Sequence, residues 1–92
     1  MIRDRAVVPL ASLKPHPRNY RKHPKDQLDH IKESIRRNGV YRNIVVANDG
    51  TILAGHGVAE ACGELGLQEV PVVRIDAASD SPEAMKVLVG DN

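Results

Sequence analysis

Gly55-His56-Gly57 stands between an apolar run, Ile52-Leu53-Ala54, and an alanine-containing stretch suited to a helix, and its residue types are the best equipped in the chain for chemistry. A helix N-terminus presents unpaired backbone N–H groups and a partial positive charge, which together attract anions. Glycines at 55 and 57 leave no side chain to hold a phosphate oxygen off that backbone, and His56 is expected to point into the same space. An imidazole titrates near neutral pH, so His56 beside phosphates is a candidate general acid or base. Glu60, one turn further on, is a candidate for holding a metal or orienting an arginine, although an acid in a first turn also complements the helix dipole. A glycine-flanked turn is equally a tight strand-to-helix connection, so the neighbouring elements decide its meaning.

Those elements can be placed from periodicity and punctuation. Ala6 to Leu10 reads as a short strand leading into a loop that holds Pro15, Pro17 and Asn19. Pro24 suits a first helical position, Leu28, Ile31 and Ile35 repeat on one helical face, and Gly39 is placed to end that helix in a left-handed cap. Asn43 to Ala47 and Thr51 to Ala54 read as strands joined by Asn48-Asp49-Gly50, a hairpin signal. His56 to Leu65 reads as a helix with Val58, Ala61, Cys62 and Leu65 inward. Val70 to Ile75 is a β-branched run interrupted by one proline, which predicts a strand near an edge. Ser81 and Pro82 predict the cap and first position of a last helix.

Read in order, these boxes resemble the ParB N-terminal domain and sulfiredoxin superfamily, whose members are often labelled ParB-like nucleases. Leu13-Lys-Pro-His-Pro-Arg-Asn-Tyr-Arg21 is similar to the family's first box, and Ile52-Leu-Ala-Gly-His-Gly57 to its second. Ser34-Ile-Arg-Arg-Asn-Gly39, Ile44-Val-Val46 and Leu65-Gly-Leu-Gln-Glu-Val-Pro-Val-Val73 match the segments between and after them. Lys86-Val-Leu-Val-Gly-Asp-Asn92 resembles the ending found in phage and methylase-associated members. The resemblance covers residues 8–92 and implies an α+β fold, a small mixed sheet with about three helices, in one domain over residues 1–92 that forms the N-terminal part of a longer protein.

The same resemblance implies a nucleoside triphosphate, CTP or ATP, bound with or without magnesium. Its phosphates would lie on Gly55, His56, Gly57, Arg18 and Arg21, with Tyr41, Arg42 and Asn43 at its periphery. The family's second box reads Gly-Glu-Arg-Arg in partitioning members and Gly-Cys-His-Arg in sulfiredoxins, so Val58 stands where a terminal arginine is usual. A charge-assisted hydrogen bond of roughly 1.5–3 kcal/mol goes with that arginine. His56 occupies the sulfiredoxin nucleophile position and the lone cysteine, Cys62, lies two turns into the helix, which argues against sulfinic acid reduction.

Composition narrows the partners. The 92 residues contain no Phe or Trp and 41% hydrophobic residues, so the core must be aliphatic, and only Tyr20 and Tyr41 are available to stack on a base. Net charge is +1, but residues 1–42 carry eleven Lys or Arg against four acids, and residues 43–92 carry two against eight. The basic half, including Lys22, Lys25, Arg36 and Arg37, is where DNA would make a weak, salt-sensitive and largely nonspecific contact. His16, His23 and His30 recur every seven residues, yet no cysteine or acidic residue stands at a recognised ligand spacing, so no metal is directly predicted. One cysteine, no 18-residue apolar run and no visible signal peptide point to a cytoplasmic protein without a membrane partner. Three functions follow: a nucleotide-dependent switch in a DNA-associated protein, with homodimerisation as a possible readout; an enzyme using the same site as an NTP hydrolase, phosphotransferase or nuclease; or an adaptor that has lost nucleotide binding. A nuclease calls for clustered carboxylates, and the acids here are scattered.

Overall fold

The computed structural model describes residues 2–19, 23–40 and 44–91. Among the described residues four strands and three helices follow in the order β1 (Ile2–Pro9), α1 (Lys25–Asn38), β2 (Ile44–Val46), β3 (Ile52–Ala54), α2 (His56–Glu64), β4 (Glu69–Ile75) and α3 (Pro82–Asp91), with a 3₁₀ turn at Leu10–Ser12 after β1. The sheet order is β1-β4-β2-β3. The β2–β4 pair is parallel and the β1–β4 and β2–β3 pairs are antiparallel, so the sheet is mixed as the family pattern implies.

Two hydrophobic layers hold the sheet. On one face Leu28 and Ile35 of α1 and Val58, Ala61 and Cys62 of α2 meet Ile44, Val46, Ile52, Val70 and Val72. On the other, Ala84 of α3 packs with Leu53 and Ile75. Side chains alternate across a strand, so Ile52 and Leu53 serve opposite layers, and a strand buried on both faces reads as an unbroken apolar run. At the start of α3 the Ala84 N–H donates to Ser81 Oγ at 3.2 Å, the side-chain cap expected of that position.

Four expectations need correction. The Val70–Ile75 strand is not near an edge: β4 lies between β1 and β2. Pro71 faces Val7 and precedes the first described β4–β2 partner pair, Ile44 with Val72, so its missing N–H falls ahead of that ladder. The first strand begins at Ile2 rather than Ala6, because Arg74 Nε and Nη2 donate to Asp4 Oδ1 and Oδ2, both at 2.7 Å, and extend the pairing through a polar segment. Gly39 ends α1 with φ 73 but an extended ψ of −176, so it is not a left-handed cap; its N–H still donates to Ile35 O at 2.8 Å. Pro24 caps α1 one position outside the helix instead of opening it.

The Asp4–Arg74 pair makes a pH prediction. Hydrogen bonding from Arg74 holds the Asp4 carboxyl below its ordinary value. A depressed folded value contributes stability that is present above the unfolded carboxylate range and lost as pH falls through the folded one. Asp4→Asn should therefore show a shallower fall in urea midpoint between about pH 4 and pH 2 than the parent chain. An identical acid limb would mean the pair adds nothing.

Candidate functional site

The proline-rich loop reaches the start of α2 because it is tied first to the edge strand. Lys14 N–H donates to Gly50 O at 3.1 Å and Ile52 N–H donates to Lys14 O at 2.7 Å, a one-residue parallel bridge to β3. The turn it lies against is itself fastened. Hydrogen bonds from Thr51, first its side chain and then its N–H, hold the Asp49 carboxyl below the usual range, and Lys14 Nζ lies 3.7 Å from it.

From Lys14 the chain turns inward at His16, which is only 6% exposed. Its backbone N–H donates to His56 Nε2 at 3.2 Å, its Nδ1 accepts the Arg18 N–H at 3.0 Å, and its Nε2 lies 2.9 Å from Ser79 O. With Nδ1 accepting, the ring proton sits on Nε2 and is donated to Ser79, so His16 ties the loop to both the start of α2 and the turn before α3. His56 is fixed by the same contact. Its Nε2 accepts a hydrogen bond, which leaves Nδ1 as the protonated nitrogen of the neutral ring.

Gly55 precedes α2 with φ 86 and ψ 25, left-handed backbone that glycine adopts without strain. Its carbonyl accepts the Ala59 N–H at 2.9 Å, so the reversal and the helix start are one feature. Gly57 serves differently from the expectation that it opens space for a phosphate. It is buried, and a Cβ there would come within 2.9 Å of His23 Cε1. The space it leaves is filled by an imidazole.

Between loop and helix lies a cleft of about 380 Å³ lined by Pro15, Asn19, His23, Ile52, His56 and Glu60, among others. The sequence-level candidates His56 and Glu60 thus converge, with Glu60 exposed. Asn19, His16 and His23 are additions: His16 stands between two prolines and His23 directly before a helix-capping proline, which is the local signal they offered. Arg18 is exposed, two residues past the buried His16. Arg21, Lys22, Tyr41, Arg42 and Asn43 lie outside the described residues.

Val58 corrects the arginine argument. It is 6% exposed and belongs to the main core, so a side chain at 58 grows into hydrophobic packing. Cys62 is likewise buried, and burial pushes its thiol up, away from nucleophilic use. Of the basic candidates, Lys25 Nζ lies 3.2 Å from Asp29 Oδ2, and Arg36 and Arg37 both reach Glu33, at 3.4 and 3.2 Å. Exposed pairs of this kind are weak, so these cations stay accessible to a polyanion. Among the described residues no three His, Cys, Asp or Glu side chains cluster to hold a metal ion, and no helix is long and apolar enough to cross a membrane.

The ParB N-terminal domain family matches residues 3–92. The chain belongs to that family. It is 33% identical over 72 residues to the ParB-like nuclease domain-containing protein YnaK of Escherichia coli, covering 78% of this chain and 83% of that protein. It is 34% identical over 89 residues to the chromosome-partitioning protein Spo0J of Thermus thermophilus, covering 92% of this chain and 32% of that protein. The fold also matches the C-terminally truncated chromosome-partitioning protein ParB of Caulobacter crescentus complexed with CTP-γ-S, with a TM-score of 0.78 and 24% identity over 95% of this chain and 49% of that one. The same Caulobacter protein has also been solved on the centromeric parS site. This ParB N-terminal domain therefore spans about a third to a half of the two partitioning proteins it resembles.

Proposed function

We propose that this domain binds a nucleoside triphosphate, CTP or ATP, in the cleft between the proline-rich loop and the start of α2, and that occupancy switches a DNA-associated protein of the partitioning type. The observation that carries the reading is the closure of the loop over the helix start by the His16 N–H to His56 Nε2 bond, which walls a cleft lined by His56, Ala59 and Glu60 of the first turns of α2. A helix N-terminus is an anion site, and phosphates are the anionic end of the ligand. The complex of a relative of the same fold with CTP-γ-S supports the choice of ligand.

In this reading Gly55 and the first turn of α2 hold phosphate, the exposed Arg18 offsets its charge, and Glu60 is the carboxylate that a magnesium ion carried by the phosphates would meet. Lys25, Arg36 and Arg37 supply a salt-sensitive DNA contact. Hydrolysis is the second reading: His56 and Glu60 line one cleft, so an imidazole and a carboxylate stand one turn apart on the same helix face.

Titration calorimetry with CTP, ATP, GTP and UTP, with and without magnesium, tests the proposal. Saturable binding of CTP or ATP is expected. Absence of heat with all four would remove the nucleotide reading and favour an adaptor.

A further inference from the structure

His23 is the polar group of the cleft that the fold leaves unanswered. Both ring nitrogens are shut off from solvent, and neither has a hydrogen-bond partner among the described residues. Its two neighbours differ: His16 has a bond at each ring nitrogen, and His56 accepts from the His16 N–H. Buried polar atoms without partners carry an uncompensated desolvation cost, and a bound group that meets them removes it.

The first turn of α2 is shaped around this ring. Alanine at 57 would be the better helix former, yet a Cβ there would sit 2.9 Å from His23 Cε1 and 3.0 Å from Nδ1. His23 lines the cleft with Asn19, His56 and Glu60. A neutral imidazole offers one donor and one acceptor, and an imidazolium offers two donors. The choice between them follows from the ligand. Phosphate oxygens only accept, and they collect at a helix N-terminus.

We propose that His23 is the phosphate-contacting side chain of the cleft, donating from its ring to the bound nucleotide and taking up a proton from solvent as the anion arrives. This rests on the nucleotide reading above. The other titratable groups lining the cleft are His56 at the start of α2 and Glu60 one turn on; Arg18, on the loop beside Asn19, is exposed. His56 is engaged through Nε2 with the loop backbone. His23 thereby supplies from before α1 the cationic contact that Val58 does not supply from α2.

The test is calorimetry of CTP and ATP in Tris, HEPES and PIPES at pH 7, buffers that differ in ionisation enthalpy, on the parent chain, His23→Gln, Gly57→Ala and the double variant, with circular dichroism confirming folding. For the parent chain the observed enthalpy should change with buffer ionisation enthalpy in the sense of proton uptake. His23→Gln should flatten that dependence and weaken affinity about tenfold or more, the loss of one charge-assisted contact. Gly57→Ala, which displaces the ring without removing it, should weaken binding similarly, and the double variant should be no weaker than the single ones. Unchanged affinity, or a buffer dependence that persists in His23→Gln, overturns the role of His23 and leaves the nucleotide site standing. Silence of the parent chain with every triphosphate overturns both.

Discussion

Val58→Arg should strongly destabilise the fold instead of tightening its hold on a nucleotide. The family's second box carries an arginine at this place, so restoring it looks from sequence like restoring a phosphate contact. The packing says otherwise. Val58 is 6% exposed and shares the main core with Ile35, Ile44, Cys62 and Val72. An arginine there either buries a guanidinium without a partner or forces α2 off the sheet. An uncompensated buried charge costs about 3–5 kcal/mol, and small domains have only about 5–15 kcal/mol in total. Urea unfolding followed by circular dichroism should show a midpoint shifted far down or no cooperative transition at all. A stable variant that binds CTP or ATP tenfold more tightly would instead mean that the side chain escapes toward the phosphates, and the assignment of residue 58 to the core would be wrong.

Much of the fold could be read because local signals agreed with one another. Leu28, Ile31 and Ile35 at helical spacing marked α1, Asp49-Gly50 marked the β2–β3 hairpin, and Ser81-Pro82 marked the start of α3. What stayed hidden depends on contacts between distant residues. Whether β4 is central or peripheral is decided by which strands lie on either side, and Pro71 argued for the periphery until its register showed that its missing N–H precedes the described β2 ladder. Polar Arg3-Asp4-Arg5 masked the first half of β1 because the partner that sustains it, Arg74, is seventy residues away. At the site the glycine-flanked histidine and Glu60 were legible as a strand-to-helix turn. The histidines that shape the cleft were not: His16 is held by Ser79, sixty-three residues on, and His23 is recognisable only from the Cβ that Gly57 lacks.

Gly55→Val should abolish nucleotide binding and also weaken the fold, and the two losses can be separated with Gly55→Asn. At φ 86 and ψ 25 the residue is in the left-handed region, which asparagine enters several-fold more often than most side chains and which a β-branched residue enters only under strain. Valine there costs about 1–3 kcal/mol if the backbone holds. If the backbone relaxes, the Gly55 carbonyl leaves the Ala59 N–H, the first turn of α2 frays, and His56 moves away from the His16 N–H that closes the loop over the cleft. Either route removes the aligned N–H groups that an anion needs. Gly55→Asn, by contrast, should keep the turn, melt within a few degrees of the parent chain and retain CTP or ATP affinity within about threefold, a change of about 0.7 kcal/mol or less. Thermal unfolding and calorimetry on the same samples read the two effects independently. Binding that survives valine at full strength would place the phosphates away from the start of α2, whereas binding lost in asparagine with the fold intact would mean that the phosphate needs the space beside Gly55 and not only its backbone angle.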